Sequence, residues 1–478
     1  MAFNSLKQYI SKAVGPLQTL TGGRKAIIAT RFMVVYLALT SIWVYFDTQN
    51  LLAFLLFLAS ALLIYYLPMR SKAKVVISLV AALIIVPVLG IRNIFYLEVM
   101  FQICLFSSLA LGLNIVVGFT GLLNLGYVAF YAVGAYTWAF FGSQQMYLLH
   151  SIPGSQPLTN AFLLPADAFY LFAFLGLGVA AIVGILLVLP VLRVRGDYLA
   201  IVTLGFGEVI RELANNLDHP LNLTNGPQGI TPIQRPTLPT GLLDGLRVIL
   251  NPIVGHSVTL DEFYNLFFYL ITLLVILTVV VVVIRLNSSK IGRAWTAIRE
   301  DEVAAVAMGI PLVKMKLAAF AVAASFAGII VVIFAANRTF VSPESFNFLQ
   351  SINVLTMVIL GGMGSIPGVI VGAAAVTVLN VQVLQGLSLG LNDLRQSGGV
   401  IPIINFAWKD LSSQLDPAKY QRLLFGLILI IMMIYRPAGI IPEKRRKRMP
   451  AGSEKPKELD NNNNSAVEAH QEAHHDAS

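Results

Sequence analysis

The chain is poor in charge, cysteine and histidine, and each scarcity excludes something. Asp, Glu, Lys and Arg make up 12% of its 478 residues, against about a quarter in an ordinary soluble domain. So little charge does not suit a water-facing globule of this size. Cys104 is the single cysteine, which rules out an intramolecular disulfide. Within its apolar run it reads as a small packing residue. No HExxH and no set of Cys and His at metal-ligand spacing occurs, so no catalytic or metal centre is expected. The loop G-x-x-x-x-G-K-[ST], which cradles nucleotide phosphates, is missing as well. If this protein uses ATP, another chain must bind it. No cofactor is expected.

What is present is apolar and continuous. Leu266 to Ile284 runs 19 residues without charge, Gly or Pro, and a helix of roughly 20 apolar residues crosses a bilayer. Asp261 precedes it, and Arg285, Lys290, Arg293 and Arg299 follow it, as expected of a membrane helix whose basic flank stays in the cytoplasm. Hydrophobic residues form 57% of the chain. The fold class is therefore all-α: a polytopic integral membrane protein, with a barrel excluded by the long apolar runs. The net charge of +9 sits in short loops beside those runs. That is positive-inside bias rather than nucleic-acid binding.

The runs predict about 11–12 transmembrane or half-spanning helices. Spans are expected at about 32–46, 51–67, 75–90, 97–118, 124–141, 168–192, 266–284, 317–336, 352–360, 369–384 and 423–435. Counting sides from a cytoplasmic N-terminus places each strongly basic loop inside. Both termini are then cytoplasmic, from Lys7 through Arg31 at one end and Lys444 to Arg448 at the other. The first helix is expected to remain as an uncleaved anchor, because no A-x-A site follows it. Phe3, Leu6, Ile10 and Val14 share one helical face, which suits either a surface-lying amphipathic helix or a disordered start. The tail, with Asn461 to Asn464 and His470, His474 and His475, is polar and expected to be disordered, without a metal role. Three regions follow: 1–96 with three extra helices, a core over 97–442, and the tail 443–478.

Three polar or glycine-rich interruptions mark a candidate pathway. They are GFTGLLNLG (Gly118, Gly121, Asn124), TLGFGEVIREL (Thr203, Gly205, Glu208, Arg211) and LGGMGSIPG (Gly361, Gly362, Gly364). Irregular backbone at membrane depth needs protein or a water-filled cavity to satisfy it, although glycines also serve close helix packing. Glu208 and Arg211, three apart, pair on a helix, either as a structural ion pair or at a pathway mouth. IVTLGFGE at Ile201 and MVILGGMG at Met357 are alike enough to suggest an internal repeat, a form common in transporters, although such short strings also match by chance. The loop GRAWTAIREDEVAAVAMGIPLVKMK, Gly292 to Lys316, combines Trp295, Ile298, Val303 and Val306 with Glu300, Asp301 and Glu302. It suits either docking to a soluble partner or a solvated helix.

RVRGDYLAIVTLGFGEVIREL, NGPQGI, GRAWTAIREDEVAAVAMGI, FVSPESF and LGGMGSIPG together resemble the permease subunits of branched-chain amino acid ABC importers, in particular the LivM-like one of the pair. The resemblance covers about Leu97 to Pro442. It implies an inner-membrane importer with a second permease, two cytoplasmic ATPase subunits and a periplasmic substrate-binding protein. It also implies that the loop is the segment ATPases grip, with Arg299, Glu300, Asp301, Glu302 and Gly309 as coupling residues. EVAAVAMG matches the EAA-type pattern of that segment only loosely. An ion-coupled carrier would place carboxylates within its spans, and most spans here have none. Urea or other amides remain alternatives to amino acids, since related permeases serve them.

Overall fold

The computed structural model describes residues 22–47, 50–146, 162–190, 197–238, 257–396 and 417–436, with residues 241, 244, 245, 247, 248, 251, 252, 400, 401, 406, 407 and 438–442. The expectations for Phe3 to Val14, Arg193, Arg195, Lys444 to Arg448 and the histidine-bearing tail lie outside these.

The chain is an all-α membrane protein. Among the described residues, seven helices are long and apolar enough to span a bilayer, and four shorter apolar helices accompany them. The helices are α1 (Gly22–Phe46), α2 (Leu51–Tyr66), α3 (Ser71–Arg92), α4 (Ile94–Phe119), α5 (Val128–Phe141), α6 (Ala168–Val188), α7 (Asp197–Asn216) and α8 (Leu260–Ser288). They continue with α9 (Lys290–Glu300), α10 (Glu302–Ala307), α11 (Leu312–Arg338), α12 (Phe348–Gly361), α13 (Ile366–Gln396) and α14 (Gln421–Tyr435). Val400–Ile401 and Phe406–Ala407 form a minimal antiparallel ladder.

Burial ranks the helices. The apolar window of α4 is 78% buried and that of α11 61%, but those of α1 and α3 only 28%. The first two are the centre, packed against each other and against α5, α8 and α13. The apolar side chains of α1 and α3 that face outward are at home in lipid. Small residues let the centre close. Gly176, Ala180 and Gly184 on α6 meet Ala324 and Gly328 on α11. A Cβ on Gly328 would lie 2.2 Å from the Gly176 carbonyl oxygen, so this crossing needs glycine.

Local chemistry explains the irregularities. Thr259 and Glu262 form a reciprocal capping box that starts α8. At about 1.5 Å per residue, α8 outspans the apolar core, and it holds the whole run Leu266 to Ile284. Pro87 has no N–H to give, and α3 widens into a π turn just before it, at Ala81–Ile85. Val86 N–H bonds to the Ala81 carbonyl, leaving the Ala82 carbonyl without a helical donor. The Tyr269 hydroxyl on α8 fills that place at 2.8 Å, joining the N-terminal helices to the centre. A stack of Phe54 on Tyr96, 4.2 Å between ring centroids, joins α2 to α4.

One end of the bundle carries α9 and α10. At the opposite end Arg338, closing α11, pairs with Glu98 near the start of α4, and Gln102 donates to the same carboxylate oxygen at 2.8 Å.

Candidate functional site

Two of the three expected interruptions are true breaks. The first follows α4, whose last turn is a π turn at Ile115–Phe119. The chain from Thr120 to Tyr127 is non-helical before α5 begins, with Thr120, Asn124, Gly126 and Tyr127 buried. Side-chain amides and hydroxyls replace the missing ladder. The Thr120 hydroxyl donates to the Val116 carbonyl at 2.6 Å. Asn124 Oδ1 accepts Gly126 N–H at 3.0 Å, Thr203 Oγ1 accepts Leu125 N–H at 3.1 Å, and Ser351 Oγ accepts Val128 N–H at 3.0 Å. One break is thus stitched to α7 and α12 at once. Gly126 sits so close to α7 that a Cβ would fall 1.8 Å from the Thr203 carbonyl oxygen.

The third interruption is the break between α12 and α13. Gly361 ends α12, Gly362 and Gly364 take positive φ (121° and 83°), and Ser365 caps α13 through Gly368 N–H. The first and third breaks touch. Gly364 N–H donates to Asn114 Oδ1 at 2.9 Å, and a Cβ on Gly118 would lie 2.6 Å from Gly364 N. Asn114 is fully buried near the end of α4. The carbonyls that end α12 are satisfied from far along the chain: Ile440 and Ile441 donate to Leu360 and Gly361 at 2.9 and 3.0 Å.

The second segment corrects the expectation. Thr203 to Leu213 is no interruption; it lies within α7, a continuous 20-residue helix. Gly205 has nothing within 4 Å of an added Cβ, and an isolated helical glycine costs only about 1 kcal/mol against alanine. The string that resembled Met357 to Gly364 therefore has a different local conformation. Glu208 and Arg211 do pair, Nε to Oε2 at 2.8 Å, and Arg211 also reaches Glu344 at 3.1 Å. Glu344 lies in the turn Pro343–Phe346 that leads into α12. This charged cluster is only partly covered. The breaks, by contrast, hold buried polar groups, Asn124 in the first and Ser365 in the third. Asn124, Gly126, Phe130, Thr203, Phe206 and Phe320 line a small cleft between α5, α7 and α11.

The expected coupling loop is two helices, not one. Asp301 separates them: its backbone is extended, and its side chain caps α10 by accepting from Val303 and Ala304 N–H at 2.9 and 3.0 Å. The pair is pinned to the start of α11. Trp295 is fully buried, with Nε1 donating to the Met315 carbonyl at 2.8 Å. Lys316, also buried, pairs with Glu302 at 2.8 Å. Gly309, at φ 82°, ends α10 in a left-handed turn, with Ile310 N–H returning to the Ala305 carbonyl. Arg299 turns inward and donates to the Gly118 carbonyl. Glu300 ends α9 and is exposed.

The outward surface is apolar: Val303 is 74% exposed, Val306 51% and Met308 83%. Val303 and Val306, read in the sequence as apolar surface beside the acidic run, share a helical face here. Met308 lies within EVAAVAMG but was not singled out, and Asn114 lies in no motif. A lone Asn in an apolar run was the available signal, since such a group must find a partner.

Among the described residues, no group of three or more His, Cys, Asp or Glu is placed to hold a metal ion.

Residues 95–433 match the family described as branched-chain amino acid transport system / permease component. The high-affinity branched-chain amino acid transport system permease protein LivM of Salmonella typhimurium is 37% identical over 351 residues, which is 71% of this chain and 68% of that protein. LivM of Escherichia coli K12 aligns with the same identity and coverage. The permease protein LivH of Escherichia coli K12 is 24% identical over 189 residues, 40% of this chain and 52% of that one. No solved structure matches. With 37% identity across most of both chains and a family match through the entire helical centre, the chain belongs to the permease component family of branched-chain amino acid transport systems, on its LivM-like branch.

Proposed function

We propose that this chain is one of two permeases forming the pathway of an ATP-driven importer of branched-chain or other neutral amino acids in the bacterial inner membrane. The observation that carries the reading is the α9–α10 pair: held rigidly from within by Trp295 and Lys316, it presents Val303, Val306 and Met308 outward. An apolar knob on an otherwise charged loop suits a groove on a soluble partner. Two cytoplasmic ATPase subunits are the partners, one gripping this chain and one its permease partner, and a periplasmic binding protein delivers substrate. The chain itself hydrolyses nothing. Both termini lie in the cytoplasm with α9 and α10. Residues 97–442 form the permease core, 1–96 add accessory helices, and 443–478 are a cytoplasmic tail.

The pathway runs beside the two breaks and the polar face of α7. Apolar neighbours such as Phe130 and Phe206 suit a leucine-like side chain, and backbone groups at broken helix ends suit a zwitterion. Glu208 and Arg211, with Glu344, stand at its outer mouth. Selectivity rests with the binding protein.

Reconstitution in proteoliposomes with the second permease, the ATPases and the binding protein tests this. Leucine uptake should require ATP and the binding protein and should ignore ionophores. Uptake that persists without ATP and collapses with a proton or sodium gradient would establish an ion-coupled carrier instead. Urea uptake in place of leucine uptake would move the chain to an amide importer.

A further inference from the structure

The geometry points to Arg299 as a positioning residue that ties the docking helices to the break after α4. We infer that movement of α9 and α10 reaches the pathway through this guanidinium. The inference rests on the reading of α9–α10 as the ATPase-docking pair.

Arg299 is the last residue but one of α9, yet it does not join the outward apolar surface. Nη1 donates to the carbonyl of Gly118, inside the π turn that ends α4. Its aliphatic stem packs on Gly121, where φ is 72° and a Cβ would come within 3.1 Å of Arg299 Cγ. Carbonyls at a helix end have no intrahelical donor, and the dipole there favours a cation. A guanidinium meets both demands and spans neighbouring acceptors in a way an ammonium cannot.

The contact does not stop at Gly118. Four residues earlier Asn114 holds Gly364 N–H, the turn between α12 and α13. Four residues after Gly121, Leu125 N–H is held by Thr203 of α7. Arg299 is thus one bond from a junction that joins both breaks and α7. The other polar anchors of the docking pair, Trp295 and Glu302, bond to the start of α11. Arg299 supplies the tie to the segment whose irregular backbone lets it move without unwinding a helix.

The test uses the complete reconstituted importer, comparing the parent with Arg299→Ala and Arg299→Lys. ATPase copurification, basal hydrolysis, hydrolysis stimulated by loaded binding protein, and leucine taken up per ATP are measured together. Arg299→Ala should copurify and hydrolyse ATP at the basal rate, but lose stimulation and take up about tenfold less leucine per ATP, within the usual range of coupling between sites. Arg299→Lys should recover part of that loss. Should Arg299→Ala not assemble, Arg299→Lys still decides, with reduced uptake per ATP expected. Parent-like uptake per ATP in either variant overturns the inference while leaving the docking reading intact. So does a loss in both variants that only tracks reduced assembly, because a structural contact alone would then suffice. A parent chain that never associates with the ATPases overturns both.

Discussion

The break at Gly118–Gly126 and the helical stretch Thr203–Leu213 lie against each other and use glycine in opposite ways. In the break, the glycines are demanded by neighbours: the Thr203 carbonyl leaves no room at Gly126, and Gly364 leaves none at Gly118. In α7, Gly205 faces open space and the helix runs straight through. Polar groups divide the same way. Asn114 and Asn124 are buried and spend their oxygens on backbone N–H groups. Glu208 and Arg211 stay partly open and spend their charges on each other and on Glu344. One region is a joint and the other is a face. On the proposed reading, the joint is where the chain bends and the face is what a passing solute or a second permease meets.

The largest expected effect attacks the joint. Gly126→Ala drives a methyl into backbone that cannot rotate away. Overpacking ordinarily costs about 1–3 kcal/mol, and a backbone overlap this deep belongs at or above the top of that range. Thermal unfolding in detergent should show a large drop with loss of monodisperse protein. A parent-like melting curve would break the contrast outright. Next comes the α9–α10 end, where Glu302 is partly covered against Lys316 and Glu300 is exposed. Glu302→Ala leaves the buried Lys316 ammonium without its half-covered carboxylate, a change worth about 1–3 kcal/mol. Limited proteolysis within α9–α10 should speed up for Glu302→Ala and not for Glu300→Ala. Equal behaviour would place Glu302 on the surface after all.

Smaller effects sharpen the other half of the contrast. Glu208→Gln and Arg211→Gln, alone and together, should slow uptake several-fold. Stability should change by less than about 1 kcal/mol, as for exposed ion pairs, and the affinity of the binding protein should not change. Parent-like transport in all three variants would make the pair plain structural surface. The smallest effect is at Gly205. Gly205→Ala should raise stability by up to about 1 kcal/mol, the propensity difference within a helix. A loss there would mean that another surface covers this face in the assembled importer.

Much of this was legible in the sequence, and the exceptions have physical causes. Long apolar runs mark the helices because the bilayer demands them, so Leu266 to Ile284 falls inside α8. Gly361 to Gly364 reads as a break because positive φ and Pro367 leave the helix few choices. Gly205 and Gly207 looked the same in sequence, and only the neighbours of each glycine separate them. Asp301 looked like part of a solvated acidic run, yet it caps α10. Its neighbour Glu302 finds Lys316 only because Gly309 turns the chain back toward α11. The bonds from Ile440 and Ile441 to the end of α12 join residues about 80 apart, and no local periodicity announces such a contact. Helix propensity and hydropathy act locally, whereas the joints of this protein are made by long-range hydrogen bonds.

The claim that α9–α10 is the face gripped by an ATPase is tested most directly by site-specific cross-linking at Met308. Cys104 is the sole cysteine and is buried, so Met308→Cys in a Cys104→Ser background supplies one reactive exposed thiol. A short thiol–amine cross-linker in the assembled importer should join position 308 to the ATPase chain, with a yield that changes between nucleotide-free and ATP-bound states. Gly205→Cys in the same background should give no such product. Labelling of position 308 by a membrane-impermeant reagent applied to intact cells, with no ATPase adduct, would contradict the account.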